Sequence, residues 1–137
     1  FSSDTNATDV GDLAAGSDAS PTSPPSSPGL YYRGCNLSSF TNGYLAGGSS
    51  TFPLGTIDFI QKFPFATDAN ATDAGGTLVT ATQTRSGSSS YEHGYITAGD
   101  LVPDVTIQRF PFAAGGNTAD VGDLAVLGRD AIGMQGE

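Results

Sequence analysis

The residues best suited to chemistry fall in a few short strings. Asp4-x-Asn6-x-x-Asp9 and Asp68-x-Asn70-x-x-Asp73 bring together the closely spaced oxygens that calcium takes as ligands. Both lack the sixth-position glycine and distal bidentate Glu of an EF-hand loop, and a third copy has Gly115 where the first carboxylate would stand. Asx turns, in which Asp or Asn accepts from its own downstream backbone, account for the same residues without an ion. No metal site is therefore predicted. Asn6-Ala-Thr8, Asn36-Leu-Ser38 and Asn70-Ala-Thr72 fit the N-glycosylation pattern. Two of them are the repeated turn itself, and the third copy, Asn117-Thr-Ala119, breaks the pattern, so they are read as incidental.

His93 is the single histidine and the default acid–base group. Its neighbour Glu92 cannot orient it along a strand, because adjacent side chains point to opposite faces. The matching position in the preceding repeat is Asn42, which points to a polar hydrogen-bonding side chain there rather than a proton shuttle. Cys35 has Arg33 close in sequence but no second histidine to activate it. The serines lie in no Gly-x-Ser-x-Gly elbow. The acids that could pair for glycoside hydrolysis sit mostly in repeated turns. No catalytic residue and no cofactor is predicted, and the chain is read as non-enzymatic.

Composition narrows the classes further. The 137 residues amount to one domain or a piece of one. Five Lys and Arg against 14 Asp and Glu give a formal net charge of −9, the opposite of what phosphate neutralisation or an anionic membrane surface requires. No apolar run approaches the ~20 residues of a membrane-spanning helix. A lone cysteine leaves no internal disulfide framework and no all-cysteine metal site. Phe1 in place of Met, with no basic stretch leading into an apolar one, predicts a processed or truncated chain.

What must position these residues is a repeat. Residues 1–13, 65–78 and 112–124 align, so that Asn6, Asn70 and Asn117 coincide, as do Asp9, Asp73 and Asp120, and Gly11, Gly75 and Gly122. Upstream, Ile60-Gln-Lys-Phe-Pro-Phe65 matches Ile107-Gln-Arg-Phe-Pro-Phe112, and Gly43-Tyr-Leu-Ala-Gly-Gly48 matches Gly94-Tyr-Ile-Thr-Ala-Gly99. Phe65 and Phe112 stand 47 residues apart, Phe1 and Phe65 64 apart. The excess in the first unit is a Pro/Ser-rich stretch, residues 16–29, expected to be an exposed extended loop because it has nothing to bury. The chain divides into one β-repeat region, 1–137, with units of roughly 1–62, 63–109 and 110–137.

Segments 43–48, 56–65 and 105–112 are short, rich in Ile, Phe, Tyr and Thr, and bounded by Gly, Pro or Asn, which predicts strands. The Asp/Asn strings predict turns, and no segment carries a 3.6-residue apolar stripe long enough for a helix. The fold class is all-β. A period of 47 with about four strands per unit fits kelch-like β-propeller blades, the Gly47-Gly48 pair allowing close strand approach. About three units are too few to close a ring of ~4–8 blades. The chain is therefore expected to contact other copies or to continue into residues not present.

The string Lys62-Phe-Pro-Phe-Ala-Thr-Asp-Ala-Asn-Ala-Thr-Asp73, followed by Arg85, a Ser-rich run and His93-Gly-Tyr95, resembles a tandem kelch-like repeat of predicted virion and tail-fibre-type proteins of marine bacteriophages. The likeness covers nearly the whole chain outside the Pro/Ser insertion. The sequence departs from that repeat at Asn42, at Gly75-Gly76-Thr77 and at Gly115-Gly116. The resemblance implies a structural or adhesive role in a virion or outside the cell, with other copies, other virion proteins, or a host-surface glycan or protein as partners. The alternative is a secreted carbohydrate-binding propeller module. An enzyme built on a propeller is the third reading. Tyr31, Tyr32, Phe40 and Tyr91, near loops, are the candidate contacts for sugars or proteins. Phe63, Phe65, Phe110 and Phe112 recur at unit positions and are expected to pack between blades.

Overall fold

The structure, a computed structural model, describes residues 34–51, 54–81, 86–97 and 105–125. The first repeat string, the 16–29 insertion, Tyr31, Tyr32 and residues 126–137 lie outside the described residues. Strands β1 (Cys35–Ser38), β2 (Asn42–Thr51), β3 (Leu54–Pro64) and β4 (Thr72–Thr77) form one sheet in chain order. Strands β5 (Ser86–Ser89), β6 (His93–Thr97), β7 (Thr106–Pro111) and β8 (Ala119–Asp123) form a second in the same way. Every neighbouring pair is antiparallel. The described residues are all-β, as expected, with no helix and no closed ring among them.

The sequence period is a structural one. Asn42 pairs with Pro64 and Gly43 with Phe63 in the first sheet, as His93 pairs with Pro111 and Gly94 with Phe110 in the second. Gln61 faces Asp73 as Gln108 faces Asp120. Both sheets also end alike: the Leu78 N–H donates to Asp58 O and the Leu124 N–H to Val105 O, each at 2.7 Å. The divisions at 62/63 and 109/110 fall inside β3 and β7, so sequence unit and sheet share a period but differ in phase. One local difference has a plain cause: β4 holds one extra residue at Gly75-Gly76, so its ladder to β3 shifts register where β8 needs less adjustment.

The turn reading holds at Asp73 and Asp120. Asp73 Oδ1 accepts from the Gly75 N–H at 2.8 Å and Asp120 Oδ1 from the Gly122 N–H at 3.1 Å, the Asx geometry that needs no ion. Gly75 has φ of 82°, a left-handed conformation that side chains with a Cβ rarely adopt. These turns lie within the edge strands rather than between strands.

The core lies between the two sheets. Cys35, Leu37, Tyr44, Ala46 and Ile60 of the first sheet are buried with Ile96 and Phe110 of the second. Pairing places Leu37, Tyr44 and Lys62 on one face of the first sheet, and Gly94 and Phe110 together on the facing side of the second. Tyr44 stacks on Phe112 with centroids 4.9 Å apart and 22° between planes, and meets the Phe110 ring edge-on at 5.5 Å. Close approach of the sheets needs glycine: a Cβ on Gly87 would sit 2.5 Å from Asn36 O, and one on Gly76 would collide with the Gly116 backbone. At Gly47-Gly48 the β2–β3 ladder shifts register and both glycines have positive φ, and a Cβ on Gly34 would sit 2.8 Å from Gly47 O.

Candidate functional site

Two of the four candidate contact residues turn out to be structural counterparts. Residues 39–42 join β1 to β2, and residues 90–93 join β5 to β6. In the first turn the Ser39 N–H donates to Asn42 O at 2.9 Å while the Asn42 N–H donates to Ser39 Oγ at 3.0 Å. In the second the Ser90 N–H donates to His93 O at 2.8 Å and the His93 N–H to Ser90 Oγ at 3.2 Å. The serine hydroxyl closes both turns, and the fourth position contributes backbone groups. Asn and His can interchange at this position because the turn uses only its backbone groups. The second position of each turn is an aromatic: Phe40, 89% exposed, and Tyr91, 79% exposed.

The two turns lie side by side. The Ser38 N–H donates across the sheet boundary to Ser89 Oγ at 2.9 Å, two residues before Phe40 and Tyr91. At the same end the Phe65 N–H donates to Thr41 O and the Phe112 N–H to Glu92 O, each at 3.0 Å. Phe65 is 56% exposed there, whereas Phe112 is covered by Tyr44. The arrangement is a rim carrying Phe40, Tyr91 and Phe65, flanked by hydroxyls and the Glu92 carboxylate. Flat apolar rings beside polar groups suit stacking on sugar rings or on protein side chains. Cys35 is buried in the core, away from the rim. Among the described residues no three His, Cys, Asp or Glu side chains gather as metal ligands.

The expected packing role of the phenylalanines divides by sheet. Phe110 and Phe112 meet Tyr44, as foreseen, while Phe63 and Phe65 meet each other edge-on at 6.0 Å on the outer face of the first sheet. The reason is geometric: the second sheet lies against the opposite face.

Sequence reasoning passed over a polar seam. The Val79 N–H, on the chain leaving β4, donates to Gln108 Oε1 at 2.8 Å and to Thr118 Oγ1 at 2.9 Å. Thr118 Oγ1 donates in turn to Gln108 Oε1 at 2.8 Å. Asn117 Oδ1 accepts from both the N–H and the hydroxyl of Thr77 at 3.1 Å, and the Thr118 N–H donates to Thr77 O at 2.9 Å. The signal was present in the repeated Ile-Gln of both hexapeptides, overshadowed by the adjacent phenylalanines. Neither a family model nor a curated protein sequence matches this chain.

Proposed function

We propose that the chain is a non-enzymatic structural and adhesive repeat protein of a phage-like virion, a fibre or decoration component built from kelch-like propeller blades. It would act in the virion or outside the cell by contacting a host surface or other virion proteins. The observation that carries this reading is the repeated Ser-aromatic-x-polar turn, which sets Phe40 and Tyr91 out into solvent at the same corner of two equivalent sheets. Exposed aromatics at matching positions offer binding area in multiples, and two weak contacts on one rigid body gain from effective concentration. Four-stranded antiparallel meanders, stacked with β1 beside β5, support the blade assignment.

The test is to probe purified particles with an antibody against the chain, and host cells with the purified chain. The chain is expected on the particle surface, and Phe40→Ser with Tyr91→Ser is expected to cut cell binding roughly tenfold or more without altering the unfolding transition. Absence from particles would remove the virion role. The exposed rings also favour the second reading, a secreted carbohydrate-binding module. Specific retention on a glycan array, lost in the same double variant, with no particle labelling, would establish that reading instead.

A further inference from the structure

We propose that the rim binds an uncharged polysaccharide, each of its two turns taking a sugar unit through a ring, an acceptor and a donor. This rests on the reading of the rim as the adhesive surface and names the chemical class of its ligand.

The turns themselves do not require the residues they carry. Tight hairpin turns favour Gly, Asn, Asp or Pro at their central positions. Here the central pairs are Phe40-Thr41 and Tyr91-Glu92. The two rings are 89% and 79% exposed, so neither packing nor turn formation accounts for an aromatic at the same position in both sheets. What the backbone supplies is rigidity. The Ser39 and Ser90 hydroxyls accept from the N–H of the fourth residue, at 3.0 and 3.2 Å. The carbonyl of the third residue accepts from Phe65 in one turn and Phe112 in the other, each at 3.0 Å. Each ring therefore stands on a backbone held from both sides, and little order is lost when a ligand binds.

A sugar ring suits such a position. One face presents C–H groups that lie flat on an aromatic ring, and the edge presents hydroxyls that donate and accept. Beside Phe40 stand the Thr41 hydroxyl and the Asn42 amide. Asn42 Nδ2 donates to Thr41 Oγ1 at 2.8 Å, which leaves its second hydrogen to a ligand. Beside Tyr91 stand the exposed Glu92 carboxylate, an acceptor, and the half-buried His93 imidazole. A protein interface buries about 800 Å² on each side around a continuous apolar core, whereas here a polar side chain follows each ring.

Charge selects among glycans. No Lys or Arg stands in residues 38–42 or 89–93, Glu92 is exposed there, and the chain has a formal net charge of −9. Lys62 and Arg109 lie back within β3 and β7. An acidic polymer would meet repulsion at the turns and find no counter-charge in them. The Ser38 N–H bond to Ser89 Oγ, 2.9 Å, holds the two turns side by side, so one polymer reaches both rings. The second contact then gains from effective concentration.

The test is native electrophoresis of the full chain through gels holding soluble polysaccharides. Hydroxyethylcellulose, galactomannan and dextran are the neutral probes, and carboxymethylcellulose and alginate the anionic ones. At least one neutral polymer is expected to retard the protein, and neither anionic polymer. Phe40→Ala and Tyr91→Ala should each weaken binding roughly tenfold with the unfolding transition unchanged, while Tyr91→Phe, which keeps the ring, should retain it. Glu92→Gln should narrow the gap between hydroxyethylcellulose and carboxymethylcellulose. No retardation by any neutral polymer, equal retardation by carboxymethylcellulose, or retardation indifferent to Phe40→Ala and Tyr91→Ala overturns the proposal. So does host-cell binding that survives periodate treatment of the cells and is lost after protease, which would give the rim to a protein partner. Particle labelling without retardation by a neutral polymer would leave the virion role standing and remove this ligand. Retardation without particle labelling would keep the ligand and remove the virion role.

Discussion

At the scale of single residues, Gln61 and Gln108 show one side chain in two states. Gln108 Oε1 holds the chain leaving the first sheet, while Gln61 Oε1 is buried without a donor. Removing a made hydrogen bond and removing an unmade one have opposite signs. Gln108→Leu should therefore destabilise the chain by about 1–2 kcal/mol, the Thr118 hydroxyl retaining part of the contact to Val79. Gln61→Leu, of similar volume, should leave the unassociated chain unchanged or slightly more stable. Urea denaturation at a concentration where the protein is monomeric measures both, and a larger loss from Gln61→Leu than from Gln108→Leu would contradict this account of the seam. None of this was legible beforehand, because the worth of a buried amide depends on the partner that the neighbouring sheet brings. The Asp73 and Asp120 turns, by contrast, were legible, since an Asx turn closes within two residues and needs no distant partner.

At the scale of elements, the strands were readable from β-branched and aromatic runs ended by Gly, Pro or Asn, because those signals are local. The 47-residue match between Ile60 and Ile107 likewise became a shared ladder register. What the pattern left open was which face of β3 and β7 is covered. Neither strand alternates cleanly between apolar and polar, because each face borders either a sheet or a rim. A stacked repeat uses both faces of every sheet, so the simple inside–outside alternation of a sandwich is lost. The glycines mark where backbone rather than side chain makes the contact. Gly87 packs against the carbonyl of Asn36 with no room for a methyl group. Gly87→Ala should force the sheets apart and destabilise by about 1–3 kcal/mol, the usual cost of overpacking. Thermal unfolding followed by circular dichroism tests this. An unchanged melting temperature would mean that the seam is loose enough to yield, and that the Tyr44 stack, not backbone contact, sets the spacing.

At the scale of the whole molecule, association has to overcome charge. Each chain carries a formal net charge of −9, so bringing copies together is opposed by a repulsion that acts well beyond contact distance. Contact between copies, as the proposed assembling role requires, would offset this chiefly by burying exposed rings such as Phe40, Phe65 and Tyr91, an interaction that salt does not screen. Exposed cations such as Arg109 could add an ion pair, and pairs of that kind contribute little. The two electrostatic terms predict opposite responses to ionic strength. From about 0.01 M to 1 M salt the Debye length falls from roughly 30 Å to 3 Å, so long-range repulsion between like-charged chains fades first. Sodium chloride should therefore tighten self-association, and the tightening should survive Arg109→Gln because the attraction it removes is minor. Sedimentation equilibrium across that range reads the result directly. If salt instead weakens association, and Arg109→Gln weakens it equally at low salt, the contact is held by specific ion pairs. Burial of exposed rings would then not be the interaction that joins the copies.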